Sequence, residues 1–175
     1  GVVPITGTLA SPVIDGAGPA IEYAVKMNQF ESGMLLSDLI DNAELREVHV
    51  DWLARVVARF HQQTNVAADD SSYGTPDAVW QPVEENYRQI REVLDEPGLL
   101  KRLDAIDEWS RAEYNTIRPA LAQRYAKGFI RECHGDLHLG NVVMQNREIA
   151  LFDCIEFNDN LRWIDVMSEV AFLVM

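Results

Sequence analysis

The chain has 175 residues, of which 47% are hydrophobic and 25% are charged, and this is the composition of an ordinary globular domain. Its 15 Lys and Arg against 28 Asp and Glu give a net charge of −13. A field of that sign repels phosphate backbones and anionic lipids, so we expect neither nucleic acid nor a membrane as a partner. Two cysteines exclude a disulfide scaffold and favour a cytoplasmic location.

The first part of the chain predicts short strands. Residues 2–14 are rich in β-branched side chains and are interrupted by Pro and Gly, a pattern typical of one or two strands joined by turns. Residues 21–27 alternate loosely between apolar and polar side chains, and we predict a mostly buried strand there.

Helices dominate the middle of the chain, where apolar residues recur at three- and four-residue steps. After a short helix over 34–40, a capping box of Asp41 and Glu44 predicts the start of the first long helix. Its core-facing residues are predicted to be Leu45, Val48, Trp52, Val56 and Phe60. A second helix carries Pro82 in its first turn or is kinked by it, and a third ends at Gly128. We expect the three long helices to pack together.

From residue 129 the pattern changes to short strands around a dense polar loop. Residues 129–133 predict a strand and 134–141 the loop. A β-hairpin is predicted over 142–152, with Asp153 directly after it. A last helix is predicted over 164–175, and its apolar end needs a covering partner, so we expect more protein to follow in the parent.

The polar loop carries the side chains from which chemistry can be inferred. Asp136 and Asn141 lie in it, and the hairpin returns the chain to the same edge at Asp153. We therefore expect two carboxylates and one amide oxygen to converge. A carboxylate can accept the proton of a hydroxyl acceptor, and hard oxygen ligands suit Mg²⁺. Such a set is suited to phosphoryl transfer, in which positioning and charge neutralisation do most of the catalysis.

The segment from His134-Gly135-Asp136 to Asn141, followed by Phe152-Asp153, resembles the catalytic loop and metal-binding aspartate of the aminoglycoside phosphotransferase and choline kinase-like family, relatives of the protein kinases. The resemblance implies an enzyme that transfers the terminal phosphate of ATP to a hydroxyl of a small molecule, with Mg²⁺ as cofactor. It also implies an α+β, protein-kinase-like fold with a mostly helical C-lobe, a catalytic-loop hairpin and the last strands of an N-lobe.

The same resemblance implies roles for individual residues. Asp136 would be the catalytic base, with His134 supporting the loop and His138 at the position where protein kinases carry a phosphate-contacting lysine. Asn141 and Asp153 would be the Mg²⁺ ligands.

Two further sets of residues take their roles from the resemblance. Asp165 would be a structural support for the catalytic loop, and it also reads as a helix N-cap. Val25, Lys26 and Met27 resemble the hinge strand, whose backbone would contact the adenine of ATP.

Domain organisation also follows from the resemblance. Residues 1–30 would be a remnant of N-lobe strands and hinge, and 31–175 the C-lobe with its catalytic and metal-binding loops. The sequence lacks a glycine-rich phosphate loop, and Lys26 fits a hinge residue better than the family's strand lysine. We therefore expect a chain truncated at both ends and inactive alone. The motifs resemble an uncharacterised bacterial branch in which this module is often fused to a P-loop ATPase-like domain, which makes a fused or partner P-loop domain a candidate partner.

Two other interpretations stay open. The spacing His134-x-Asp136-x-His138, with Cys133 or Cys154 nearby, resembles a zinc-ligand pattern and predicts a zinc-dependent hydrolase. The three side chains of that pattern would lie on one face only if the segment were a true strand. A non-catalytic, kinase-like binding module is the other interpretation. Both cysteines are expected to be small, buried apolar residues.

Overall fold

The computed structural model describes residues 1–27 and 29–175. These residues form two compact units, Gly1–Ser32 and Gly33–Met175. The identification of such units with parts of two kinase lobes stays a prediction. Within the described ranges, each helix is either too short or too polar to cross a bilayer.

The first unit is a three-stranded antiparallel sheet with the strand order β2–β1–β3. Its strands are β1 (Val2–Thr8), β2 (Ser11–Ile14) and β3 (Glu22–Val25), which confirms the predicted pair of strands in the first segment. The prediction of a mostly buried third strand was wrong, because Tyr23 and Val25 are 64% and 68% exposed. Strand β3 lies at the edge of the sheet, and no helix lies within the described part of this unit to cover it.

The second unit begins with four helices, α1 (Leu36–Asp41), α2 (Glu47–Gln63), α3 (Pro76–Val93) and α4 (Pro97–Ala126). Helix α3 begins where the Thr75 hydroxyl accepts a hydrogen bond from the Ala78 N–H at 3.1 Å, a typical N-cap. Pro82 lies inside α3, beyond its first turn. Gly128, at φ = +72°, follows the end of α4 as predicted.

Helix α2 begins later than predicted, and its buried face is displaced by one residue. Ala43 has a φ of +56° between α1 and α2, so the capping box predicted at Asp41 does not form. Instead, the Arg46 N–H donates to Nδ1 of His49 at 3.2 Å. The buried residues of the helix are His49, Leu53, Val57 and His61. Of the predicted residues, Leu45, Trp52 and Val56 pack against the core while only partly buried, whereas Val48 is exposed. The fully buried positions were missed because two of the four side chains are polar and add nothing to a hydrophobic pattern.

Short strands and helices complete the second unit. They are β4 (Ile130–Glu132), β5 (Val142–Gln145), β6 (Glu148–Leu151), α5 (Asp159–Arg162), β7 (Trp163–Asp165) and α6 (Val166–Val174). Strands β5 and β6 form the predicted hairpin, and Asn146 and Arg147 at its turn both have positive φ, as a type I′ turn requires. Strand β7 pairs antiparallel with β4, so the last helix begins after this strand and not at residue 164.

The main hydrophobic core joins α1, α2 and the hairpin. Its buried members are Leu36, Leu39, Leu53, Val57, Leu137, Val142 and Ile149. Helices α3 and α4 contribute no residue to this cluster and contact each other instead. Of the three long helices that we expected to pack together, α3 and α4 therefore contact each other, while α2 buries its face in this separate cluster.

Candidate active site

The polar loop 134–141 connects β4 to β5, and a buried residue in the middle of the loop anchors it to the core. The side chain of Leu137 is completely buried in the main core, as is that of Val142 directly after the loop. Burial of a leucine contributes about 1.5–3 kcal/mol, so Leu137 holds the loop against the core. On either side of it, the side chains of Asp136 and His138 are 45% and 47% exposed.

Within this loop the structure brings Asp136 and Asn141 into contact. Nδ2 of Asn141 donates to the backbone oxygen of Asp136 at 2.9 Å and to its Oδ2 at 3.2 Å. Asn141 is buried, whereas the carboxylate that it orients is accessible. The amide nitrogen is committed to Asp136, so the carbonyl oxygen Oδ1 is the atom of Asn141 that can serve a cation.

His134 supports the loop from inside. Its Nε2 lies 2.7 Å from the carbonyl oxygen of Phe152, and its Nδ1 accepts the Asp136 N–H at 3.4 Å. A carbonyl oxygen only accepts, so Nε2 is the ring nitrogen that donates to Phe152. Both ring nitrogens therefore contact backbone groups, one within the loop and one directly after β6.

Asp153 is exposed, and the backbone around it is joined to the loop. The Phe152 N–H donates to the carbonyl oxygen of Asn141 at 3.1 Å, and the Ile155 N–H donates to that of His134 at 2.9 Å. These bonds place the Asp153 backbone beside both ends of the loop. Its φ is +63°, a conformation that Asp tolerates better than most residues and that is concentrated at functional sites.

His138 lies next to the Asp136 carboxylate. Its Nδ1 accepts the Gly140 N–H at 3.1 Å within the short 3₁₀ turn Leu139–Asn141. The ring proton is therefore on Nε2, which lies 3.7 Å from Oδ2 of Asp136. That distance is too long for a hydrogen bond, and the N–H of His138 is available beside the carboxylate.

Beneath the loop is a buried acid that the sequence analysis missed. Glu169 of α6 is 1% exposed; its Oε1 accepts the Gly135 N–H at 2.9 Å, and its Oε2 lies 2.5 Å from Nε2 of His61. One signal was the position of His61 on α2. His61 lies on the buried face of that helix, which is displaced by one residue from the predicted core-facing positions. A single charged residue in the mostly apolar α6 was the second signal, because a buried charge needs partners.

Asp165 pairs with Arg124 and caps α6. Its Oδ2 and Oδ1 accept from Nε and Nη2 of Arg124 at 2.6 and 2.8 Å, and Oδ1 also accepts the Met167 N–H at 2.8 Å. The N-cap interpretation is confirmed. The hydrogen bonds to Asp165 raise the pKa of the Arg124 guanidinium. Asp165 is opposite Ile130 of β4, so support for the loop from this residue, which stays a prediction, would pass through that strand pair.

The predicted hinge residues belong to the first unit. Val25 ends β3, and Lys26 and Met27 follow it, all three exposed. The Lys26 N–H donates to the carbonyl oxygen of Gly1 at 2.7 Å, and its Nζ lies 3.7 Å from Asp15. Both partners of this ion pair are largely exposed, so it contributes little to stability. Contact of these residues with adenine stays a prediction.

The geometry gives no support to the zinc-ligand pattern. Both ring nitrogens of His134 contact backbone groups, so neither is directed at a shared metal site. Cys133 is buried with its thiol 3.6 Å from the carbonyl oxygen of Ile164, and burial raises the pKa of that thiol. Cys154 is exposed, contrary to expectation, because it follows β6 in a segment outside the sheets.

The donor set at the loop fits Mg²⁺. This cation prefers one or two carboxylate or carbonyl oxygens and keeps several waters. Oδ1 of Asn141 and the exposed carboxylate of Asp153 supply such oxygens, and Asp153 has room for water around it.

Comparison with known proteins identifies relatives of this chain. Proteins named as uncharacterised in Mycobacterium bovis and in two strains of Mycobacterium tuberculosis are each 29% identical over 165 residues. The aligned region is 92% of this chain and 32% of each relative, so the chain spans about a third of their length. No solved structure matches the chain significantly.

The family comparison covers most of the chain. Residues 18–175 match the profile of the phosphotransferase enzyme family, APH, and the match includes the loop, Asp153 and Asp165. This family implies a protein-kinase-like fold, with which the observed mixture of helices and small antiparallel sheets agrees. The mycobacterial relatives fit the uncharacterised bacterial branch that the motifs resemble. The chain belongs to the phosphotransferase enzyme family.

Proposed function

We propose that this chain carries the catalytic loop of an ATP- and Mg²⁺-dependent enzyme that transfers the terminal phosphate to a hydroxyl of a small molecule. The observation that supports the proposal is the contact between Asp136 and Asn141, beside the backbone of Asp153. It places an accessible carboxylate next to a side chain whose amide oxygen can bind a cation. Both belong to a loop that the buried side chain of Leu137 anchors to the core.

Asp136 is the proposed base. Its half-exposed carboxylate can reach a hydroxyl and accept its proton, and a positioned base of this kind contributes about 10²–10⁴ to the rate. Asn141 orients the carboxylate through Oδ2. His134 acts through the loop backbone, and His138 presents its Nε2–H to a phosphate oxygen beside Asp136.

Asn141 and Asp153 are the proposed Mg²⁺ ligands. When bound, Mg²⁺ neutralises charge on the phosphate oxygens. The chain's contribution is the spacing of the two side chains, which depends on the hydrogen bond between the Phe152 N–H and the Asn141 carbonyl.

The two units take separate parts in this proposal. Gly1–Ser32 corresponds to the last N-lobe strands and the hinge, with the backbone of Val25, Lys26 and Met27 against adenine. Gly33–Met175 corresponds to the helical C-lobe that holds the catalytic and metal-binding loops.

Label transfer from ATP tests the proposal. Longer proteins that contain this chain would be screened with γ-labelled ATP and Mg²⁺ against hydroxylated small molecules, beside the chain alone, which we expect to be inactive. We expect Mg²⁺-dependent transfer that falls at least about 100-fold in kcat in Asp136→Asn, with KM little changed. Asp159→Asn is the control, because it removes the same charge from an exposed ion pair with Arg162.

Two results would count against the proposal. An unchanged rate in Asp136→Asn would remove that residue from the mechanism. Nucleotide binding without transfer to any acceptor would favour a non-catalytic binding module.

A further inference from the structure

We infer that Glu169 and His61 are positioning residues that hold the Gly135 peptide from beneath and, through it, set the direction of the Asp136 carboxylate. The inference rests on the proposed function of Asp136 and deepens it. Neither residue reaches the solvent-facing side of the loop, since both are buried.

The Gly135 peptide is confined on two sides. Its N–H donates to Oε1 of Glu169 at 2.9 Å. On another side, a Cβ at this position would lie 2.7 Å from the carbonyl oxygen of Leu161, and the φ of the residue is +84°. Because Gly135 directly precedes Asp136, a rotation of this peptide would turn the carboxylate away from Nδ2 of Asn141.

His61 determines the orientation of the Glu169 carboxylate. A buried carboxylate is costly unless donors surround it, and the Gly135 N–H satisfies only one of its oxygens. Nε2 of His61, 2.5 Å from Oε2, supplies the second contact. His61 belongs to α2 and Glu169 to α6, and 108 positions separate them. The contact therefore connects two helices directly under the loop.

The same residues raise the question of a metal. Among the described residues, His61, Cys133 and Glu169 form a buried group whose ligand atoms lie within 4.8 Å of one another. Two ligands on one Zn²⁺, with bonds of about 2.0 Å, stand about 3.3 Å apart. His61 and Glu169 are closer than that, and the neutral thiol of Cys133 faces a backbone carbonyl. These distances describe hydrogen bonds and not a coordination shell.

The test compares variants that keep or remove the acceptor. Glu169→Gln keeps an oxygen for the Gly135 N–H, whereas Glu169→Met keeps the volume but removes the acceptor. His61→Leu removes the second contact. Val57→Ala is the control, because it opens a cavity on the same buried face of α2, one turn before His61, without removing a hydrogen-bond partner of the loop.

The readouts are amide hydrogen exchange of Gly135 and the side-chain NH₂ resonances of Asn141, measured by NMR on the ¹⁵N-labelled chain. In Glu169→Met we expect Gly135 exchange to rise at least about tenfold, since a partly buried donor loses its acceptor, and the Asn141 resonances to shift. His61→Leu should show a smaller change of the same kind. Glu169→Gln should restore most of the protection, and Val57→Ala should leave both signals unchanged once corrected for global stability.

Two results would overturn the inference. One is a Glu169→Met or His61→Leu chain whose Gly135 and Asn141 signals match those of Val57→Ala. The other is stoichiometric zinc in the purified chain that is lost in Cys133→Ser. If Glu169→Met does not fold, the comparison of His61→Leu with Val57→Ala decides the inference.

These readouts need neither ATP nor an acceptor. If the chain passes the NMR test but a longer protein that contains it transfers no phosphate, that result would contradict the proposed function alone. Where transfer is measurable, His61→Leu should lower kcat while leaving the KM for ATP unchanged, and wild-type kcat in that variant would contradict the positioning role.

Discussion

Arg124 and Asp165 form a two-pronged ion pair that joins the end of α4 to the start of α6. The carboxylate is 6% exposed and the guanidinium 30% exposed, with N···O distances of 2.6 and 2.8 Å. Because the same carboxylate also caps α6 and lies in β7, one buried side chain holds three elements together next to the strand that leads into the loop.

Replacing Arg124 with Met should therefore destabilise the chain strongly. The change leaves a buried carboxylate without its cation, which costs about 3–5 kcal/mol, and the partial exposure of Arg124 places the expected loss toward the lower end. Urea unfolding at neutral pH measures it. Arg118→Met, in the same helix, removes a partner of the exposed Asp77 and should have little effect. Equal losses in the two variants would contradict the role given to the buried pair.

Gly135→Ala should cost more than a matched glycine replacement elsewhere. Gly135 and Gly33 have φ values of +84° and +80°, so alanine at either position incurs strain of about 1–2 kcal/mol. Only at Gly135 would the added Cβ meet backbone, at 2.7 Å from the Leu161 oxygen, whereas nothing lies within 4 Å of a Cβ at Gly33. Thermal unfolding of both variants measures the difference. A similar loss at both positions would show that the loop can move away from α5.

Asp153→Asn should separate the proposed metal role from stability. Asn tolerates a φ of +63° as well as Asp does, so the free energy of unfolding should change little. We expect Mg²⁺ affinity in the presence of ADP to fall at least about tenfold, measured by titration while following the Asn141 side-chain resonances. Asp159→Asn serves again as the control, and an unaltered Mg²⁺ titration in Asp153→Asn would remove it from the proposed site.

Asp107 should make stability depend on pH in acid. Hydrogen bonds from Arg91 and the nearby charge of Arg111 lower the pKa of this carboxyl, although burial opposes them. Its contribution is present above the unfolded pKa of about 3.9 and is lost as the pH falls through the lower folded value, because the unfolded chain binds its proton first. The stability difference between the wild-type chain and Asp107→Asn should therefore shrink below about pH 4.

Denaturant unfolding at pH 7, 5 and 3.5 measures this difference. Asp104→Asn is the matched control, since its carboxylate contacts Arg91 from an exposed position on the same helix. A difference between wild type and Asp107→Asn that stays constant across this range would contradict the assignment.

The elements that could be predicted are those with a local cause. The hairpin of β5 and β6 follows from two short apolar runs around a turn, and the contact of Asp136 with Asn141 lies within one loop. The loop motif supports the family before any coordinates are known, because its chemistry is confined to a few neighbouring residues.

The failures have non-local causes. The pair of His61 and Glu169 joins positions 108 residues apart, and neither periodicity nor motif spacing indicates such a contact. The buried face of α2 was misplaced because His49 and His61 occupy it. Strand β7 has only three residues, and its existence depends on β4 as a partner rather than on its own sequence.

Asn141 contacts Asp136 through its side-chain nitrogen Nδ2, and this limits which residues can occupy position 141. An aspartate would present a second negative oxygen to Asp136 where a hydrogen now points, so the two side chains would repel each other and the loop would open. A smaller side chain would leave the Asp136 carboxylate without the hydrogen bond that orients it. Substitutions at position 141 should therefore be limited by loss of the Nδ2–H donors at least as strongly as by loss of the oxygen that would bind a cation.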